Sequence, residues 1–151
     1  MSAQAWKFYN QGKHYISGTI SLGAQTFNLH LYQSSSNFAT ATNSTFTQLT
    51  NQVTSANNYT LAGKTMTSVT WTTGASAAQQ EFNSAALTFT ALGGSINNIK
   101  AAVIVAQTGA SARDPANKLL VYASLTSAQF SISQNNTLTI TMNTAGIFTL
   151  A

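Results

Sequence analysis

Apolar residues recur at every second position through most of this chain, with small neutral polar residues between them. "NTLTITMNT", residues 136–144, sets Leu138, Ile140 and Met142 in one row with threonines on either side. A period of two is the signature of a strand, whose successive side chains face opposite ways. "QTFNLHLYQ" puts Phe27, Leu29 and Leu31 on one face and Asn28, His30 and Tyr32 on the other. "SVTWTT" pairs Val69 with Trp71, and "ALTFTAL" pairs Leu87 with Phe89. "IKAAVIVAQ" aligns Ile99, Ala101, Val103 and Val105. Ile104 makes the middle of that segment apolar on both faces, as in a central strand. "KLLVYASL" behaves in the same way, and Ile147 and Phe148 follow near the end.

"HYISGTISL", residues 14–22, reads as a further strand with Ile16, Gly18, Ile20 and Leu22 in one row. Gly23 in "SLGAQT" then predicts a hairpin into the next strand. One segment breaks the period. "NSTFTQLTNQVTSANN" spaces Phe46, Leu49 and Val53 at i, i+3 and i+7, which predicts one short helix near 44–55. Asn43 or Ser44 would cap its start and Asn57 or Asn58 would end it. "TGASARDPANK", residues 108–118, holds the only proline and reads as a protruding hairpin loop. "TTGASAAQQEFNS", residues 72–84, reads as a second loop. About nine strands and one helix predict a mainly β fold. Residues 1–151 should form one antiparallel β-sandwich or small barrel.

The neutrality of the spacer residues extends to the whole chain. Charged residues make up 5%, against the usual quarter, while the apolar fraction of 44% is ordinary. The net charge of +4 reflects two acids more than many bases. The six basic residues, Lys7, Lys13, Lys64, Lys100, Arg113 and Lys118, form no run that would track phosphates, so no nucleic-acid partner is expected. No apolar run approaches the ~20 residues of a membrane span, and no membrane partner is expected either. The start lacks the basic and apolar regions of a signal peptide, which predicts folding in a cytoplasm. With no cysteine, disulfides and thiolate chemistry are absent. The Asn-x-Ser/Thr triplets at Asn43, Asn58 and Asn135 match chance in so asparagine- and threonine-rich a chain.

Catalytic chemistry needs ionisable groups that converge. Glu81 and Asp114 are the only carboxylates, and each reads as a surface loop residue. His14 and His30 have no second ligand at metal-binding spacing, and no nucleophile elbow or phosphate loop occurs. Neither an enzyme nor a cofactor is expected. The aromatics Trp6, Phe8, Tyr9 and Tyr15 cluster near the start. Trp6, Phe8 and Tyr9 cannot all share one strand face, so residues 1–9 read as a candidate docking arm. Arg113 and Asp114, in the 108–118 loop, are the second candidate contact.

"WKFYNQGKHYISGTISLGAQTFNLHLYQSSSN" at 6–37, "NNYTLAGKTMTSVTW" at 57–71 and "NTLTITMNTAGIFTL" at 136–150 resemble a family of small tailed-bacteriophage virion proteins. Such chains open with K-F-Y-N, then G-T-I-x-L, a T-F-x-x-x-L strand and a serine-asparagine turn. The resemblance rests on packing and turn residues, in stretches spread along the chain from residue 6 to residue 150. It implies a structural component carried on the virion and made in the host cytoplasm. The first expectation is a capsid decoration or cement protein, a homo-oligomer bound to the major capsid protein. A tail or neck component, or a receptor- or glycan-binding module, are the alternatives. This chain departs from the family pattern in having so few acids.

Overall fold

The computed structural model describes residues 4–18, 20, 24–73, 79–143 and 146–150. In chain order the elements begin with β1 (Lys7–Phe8), α1 (Asn10–Gly18) and β2 (Phe27–Tyr32), followed by a 3-10 turn at Phe46–Gln48. Next come β3 (Lys64–Thr65), β4 (Thr70–Thr73), β5 (Gln80–Asn83), β6 (Leu87–Thr90) and β7 (Ile96–Ile99). The last are β8 (Ala101–Ala106), β9 (Lys118–Ser124), β10 (Phe130–Ile132), β11 (Thr137–Ile140) and β12 (Phe148–Leu150). All pairings among them are antiparallel.

The largest sheet has the order β1-β9-β8-β2-β3, and every residue of β2 and β8 is buried. One face carries Phe27, Leu29, Leu31, Ala102, Ile104 and Ala106 into the main core. That core is closed by the smaller sheets β12-β5-β4, β11-β6 and β10-β7, in a sandwich-like arrangement. Among the described residues the strands close into no barrel. Aromatic rings tie the layers together. Phe27 meets Phe82 edge-on at 4.9 Å, and Phe82 stacks on Phe148 at 5.0 Å. The other face carries Tyr32, Ala101, Val103, Val105 and Leu119 into a second cluster with Tyr9 and Phe38. Among the described residues no sheet covers this second face. The chain between β2 and β3 does, through Phe38 and the half-buried Phe46 and Leu49. Ile99 belongs to the main core although it leads into the Ala101 row, because Asn98 (φ 62°) and the break at Lys100 reset the alternation.

Sequence and structure differ most over the helix. The single α-helix among the described residues is α1 at 10–18, and the predicted 44–55 stretch contains only the 3-10 turn. Phe46 and Leu49 face the second cluster, whereas Val53 enters the main core after the positive φ of Asn51 (53°). The apparent helical stripe is thus three anchors of an irregular segment. "HYISGTISL" is correspondingly helical in its first half. Gly12, Tyr15 and Ile16, at i, i+3 and i+4, form its inner face. Residues 14–18 thus form no strand that could pair with β2, and the predicted hairpin turn at Gly23, with Leu22, lies outside the described residues. The 72–84 loop is also shorter than predicted: Gln80–Asn83 form β5, so Glu81 sits half-buried in a strand. Residues 74–78 lie outside the described residues. The 108–118 loop does join two antiparallel strands, β8 and β9.

From Gln4 onward the predicted docking arm is built into the domain, and residues 1–3 lie outside the described residues. β1 pairs with β9, Gln4 N donates to Ser124 O at 2.9 Å, and Tyr9 is fully buried, its hydroxyl donating to Phe38 O at 2.7 Å. Phe8 packs on Phe148 at 4.7 Å, and Trp6 and Tyr15 are half-buried against the main core. Deleting residues 1–9 would therefore remove an edge strand and a core side chain rather than a free arm.

Helix α1 is seated by a bulge. Ile104 pairs with Val121 and Val105 with Leu119, which leaves Leu120 as the extra residue of β9. Its carbonyl accepts Tyr9 N–H at 3.1 Å, and a Cβ added to Gly12 would fall 2.4 Å from the same oxygen. Alanine would favour the helix by about 1 kcal/mol, but a clash with backbone in a packed interior costs on the order of 1–3 kcal/mol. Gly12→Ala is expected to lower the melting temperature by several degrees in a dichroism melt. A melting point at or above that of the parent would show that α1 is not seated as described.

Candidate functional site

Four segments meet at one end of the second cluster and leave a cleft of about 430 Å³ between them. Strand β2 contributes Tyr32. The 3-10 turn contributes Phe46 and Thr47, and the chain after it Leu49, Asn51 and Gln52. The β8–β9 loop contributes Arg113 and Pro115. The 3-10 turn and the segment after it are fixed by neutral hydrogen bonds. Gln48 Oε1 accepts Ser44 N–H at 2.6 Å and Thr45 N–H at 2.9 Å, which closes the 3-10 turn as a capping box. The 49–53 segment runs beside β2: Val53 N donates to Leu31 O at 2.9 Å and Gln33 N to Asn51 O at 3.1 Å.

The loop that carries Arg113 is held from within. Asp114 accepts Ala110 N–H and Ala116 N–H at 3.1 and 2.9 Å. Asn117, fully buried, accepts Gly109 N–H at 2.9 Å and donates to Ser111 O at 2.8 Å. The two loop residues singled out in the sequence therefore divide. Asp114 organises the loop, and Arg113 is left exposed at the cleft.

Beneath the cleft lies His30, placed by the sequence on the polar face of its strand and found fully buried. Gln52 Nε2 lies 3.2 Å from His30 Nδ1 and donates to Tyr59 Oη at 3.0 Å and to Leu61 O at 2.9 Å, so one amide nitrogen joins three groups. His30 Nε2 is buried without a hydrogen-bond partner among the described residues, and the ring packs against Phe46 at 4.9 Å. Burial pulls the imidazole pKa down to about 4; the Leu61 carbonyl opposes this and the Arg113 charge adds to it. Burial likewise pushes the Tyr32 hydroxyl pKa up, so it stays a neutral donor.

Most cations of the chain are occupied elsewhere. Lys13, Lys64 and Lys118 lie 5.5, 5.7 and 5.3 Å over the rings of Phe8, Phe89 and Tyr15. Lys100 donates to Thr126 O and Ser127 O. Arg113 has no such partner among the described residues. A broader hollow of about 580 Å³ at Lys7, Phe8, Tyr9, Asn10 and Lys13 offers less, because the Tyr9 hydroxyl and the Lys13 ammonium are already engaged. Glu81 and His14 take no part in the cleft, and among the described residues no three His, Asp or Glu side chains converge. No known protein family, curated protein or solved structure matches this chain. The residues of the cleft must speak for themselves.

His30 couples the stability of the fold to acid. The unfolded chain takes up a proton near pH 6.5 and the folded chain only near 4, so the unfolded state holds more protons in between. Stability therefore falls as pH drops through that window, by on the order of 3 kcal/mol in all. Urea midpoints at pH 7 and pH 4 are expected to show the loss. Equal midpoints would mean that His30 is hydrated in the folded state.

Proposed function

We propose that this chain is a non-enzymatic structural protein of a tailed-bacteriophage virion. In this reading it is a capsid decoration protein that binds the major capsid protein as a homo-oligomer. The observation that carries the reading is the character of its open edges. β4 pairs with β5 on one side only, and β11 with β6 on one side only, among the described residues. Their outer residues, Thr70, Thr72, Thr73, Thr137 and Thr139, are exposed and neutral. Soluble proteins commonly guard an edge strand with charge or proline, and neither occurs in these two strands. An unguarded threonine edge suits strand addition to a neighbour, where backbone groups pair without the desolvation of ions. The resemblance of residues 6–37, 57–71 and 136–150 to small virion proteins points the same way.

Quantitative mass spectrometry of purified particles of the encoding phage tests the role. A copy number comparable with that of the major capsid protein supports decoration. A far smaller number moves the chain to the tail or neck, and absence from the particle defeats the proposal.

The mode of attachment has its own test. With few charges to screen, attachment should survive a rise from about 0.1 to about 1 M sodium chloride, over which the Debye length falls from roughly 10 to 3 Å. Sedimentation of salt-washed particles is expected to leave the protein in the pellet. Release by salt alone would mean that ion pairs hold it. Charge placed at the edge, as in Thr72→Lys, is expected to weaken attachment while leaving the melting temperature within a few degrees of the parent.

A further inference from the structure

The cleft above His30 has a chemistry that virion attachment does not explain. Its walls are of two kinds. Phe46, Leu49, Leu61 and Pro115 supply apolar surface. Tyr32, Thr47, Asn51 and Gln52 supply polar groups, several of which are left without a partner inside the domain. Tyr32 is the telling one. It is 1% exposed and lines the cleft, and its hydroxyl has no hydrogen-bond partner among the described residues. The one buried side-chain polar atom without a partner among the described residues is His30 Nε2, so the Tyr32 hydroxyl is not sealed off but opens into the cleft, where a ligand could reach it.

Gln52 adds an acceptor of fixed direction. Its amide nitrogen is held by His30, Tyr59 and Leu61, and its Oε1 is paired with nothing among the described residues. Asn51 is similar: its nitrogen donates to Ser35 O at 3.0 Å while its Oδ1 has no such partner. The Thr47 hydroxyl is also unpaired among the described residues. The cleft thus presents hydroxyls that both donate and accept, acceptors held in place, and an apolar wall. Arg113 supplies its single charge.

These features select among ligands. An apolar guest would leave Tyr32, Gln52 and Thr47 unpaired. A cation would meet Arg113 and find no acid in the lining. A flat aromatic guest would have to share the Phe46 ring, which already lies 4.9 Å from His30. A pyranose has an apolar face and a rim of hydroxyls, and one or two such rings suit a cleft of about 430 Å³, near the lower end of ordinary ligand sites. One guanidinium balances one carboxylate and fits it in a two-pronged geometry; a doubly charged phosphate would remain half neutralised.

We propose that this cleft is a binding site for an acidic saccharide unit, with Arg113 on the sugar carboxylate and Tyr32, Thr47 and Gln52 on its hydroxyls. The site stands independently of the capsid role, because the open edges of β4 and β11 contribute nothing to it.

The test is a nuclear magnetic resonance titration of the intact chain with a digalacturonate and, separately, with its dimethyl ester, which keeps the shape and removes the charge. The acid is expected to shift the amide signals of Thr47, Gln52 and Arg113 and to bind about tenfold more tightly than the ester. In Arg113→Gln that preference is expected to vanish while the ester binds as before. Tyr32→Phe keeps the buried ring and is expected to weaken both ligands about fivefold. Equal binding of acid and ester by the parent, signals shifted only elsewhere, or an unchanged preference in Arg113→Gln would each overturn the proposal. No binding of either compound up to tens of millimolar would overturn it as well. Particle copy number is unaffected by any of these outcomes, so the two proposals fail separately.

Discussion

Everything in this fold is arranged around two strands that have no solvent face. β2 and β8 pair over six residues, and all twelve are buried. Burying a pair on both sides demands two covers, and the chain supplies two of different kinds. Small sheets close one face, and an irregular segment rich in serine, threonine and asparagine closes the other. Sheet cover is cooperative and pairs its own backbone. Loop cover must satisfy its backbone groups one by one. That second requirement is what places so many amide side chains near the cleft, and the cleft itself is where loop cover is incomplete.

The strands were legible because alternation is a local property. Phe27, Leu29 and Leu31 in β2 and Leu87 and Phe89 in β6 take the faces their spacing predicts. What the letters withheld was the fate of the opposite rows. Asn28, His30 and Tyr32 read as the opposite, more polar face, yet all three are buried because a distant segment folds over them. The helix shows the same limit. Gly12, Tyr15 and Ile16 carry a helical spacing, while Ile16, Gly18 and Ile20 carry a strand spacing, in overlapping residues. The choice is settled by Gly12 approaching Leu120 O, a contact between residues far apart in sequence. Of the polar residues of the cleft, Arg113 was singled out in the sequence, beside Asp114 in the 108–118 loop. Tyr32, Thr47 and Gln52 are ordinary residue types on three separate segments, and only the fold brings them together.

Neutral amides do the work that ion pairs do elsewhere. Asn37 accepts Thr50 N–H at 2.9 Å and donates to Gln48 O at 2.8 Å, joining two turns of the covering segment. Asn57 donates to Ser95 O at 2.7 Å, tying that segment to the chain before β7. Asn117 and Gln52 have been described above. Such clamps have no net charge to screen and no proton to lose in the ordinary pH range. The geometry these amides hold should therefore be indifferent to ionic strength, and acid reaches the fold through the imidazole enclosed beneath the cleft.

Five asparagines, at 51, 57, 58, 98 and 135, adopt positive φ between 53° and 75°. Glycine is the usual occupant of that region. Asparagine tolerates it less easily, but its side chain restricts the disordered chain far more than a hydrogen atom would. At these turns the sequence accepts some strain in the native state in exchange for a smaller ensemble of alternatives to fold from. Part of the stability of this domain thus resides in conformations it never adopts when folded, a contribution that no inspection of its contacts would reveal.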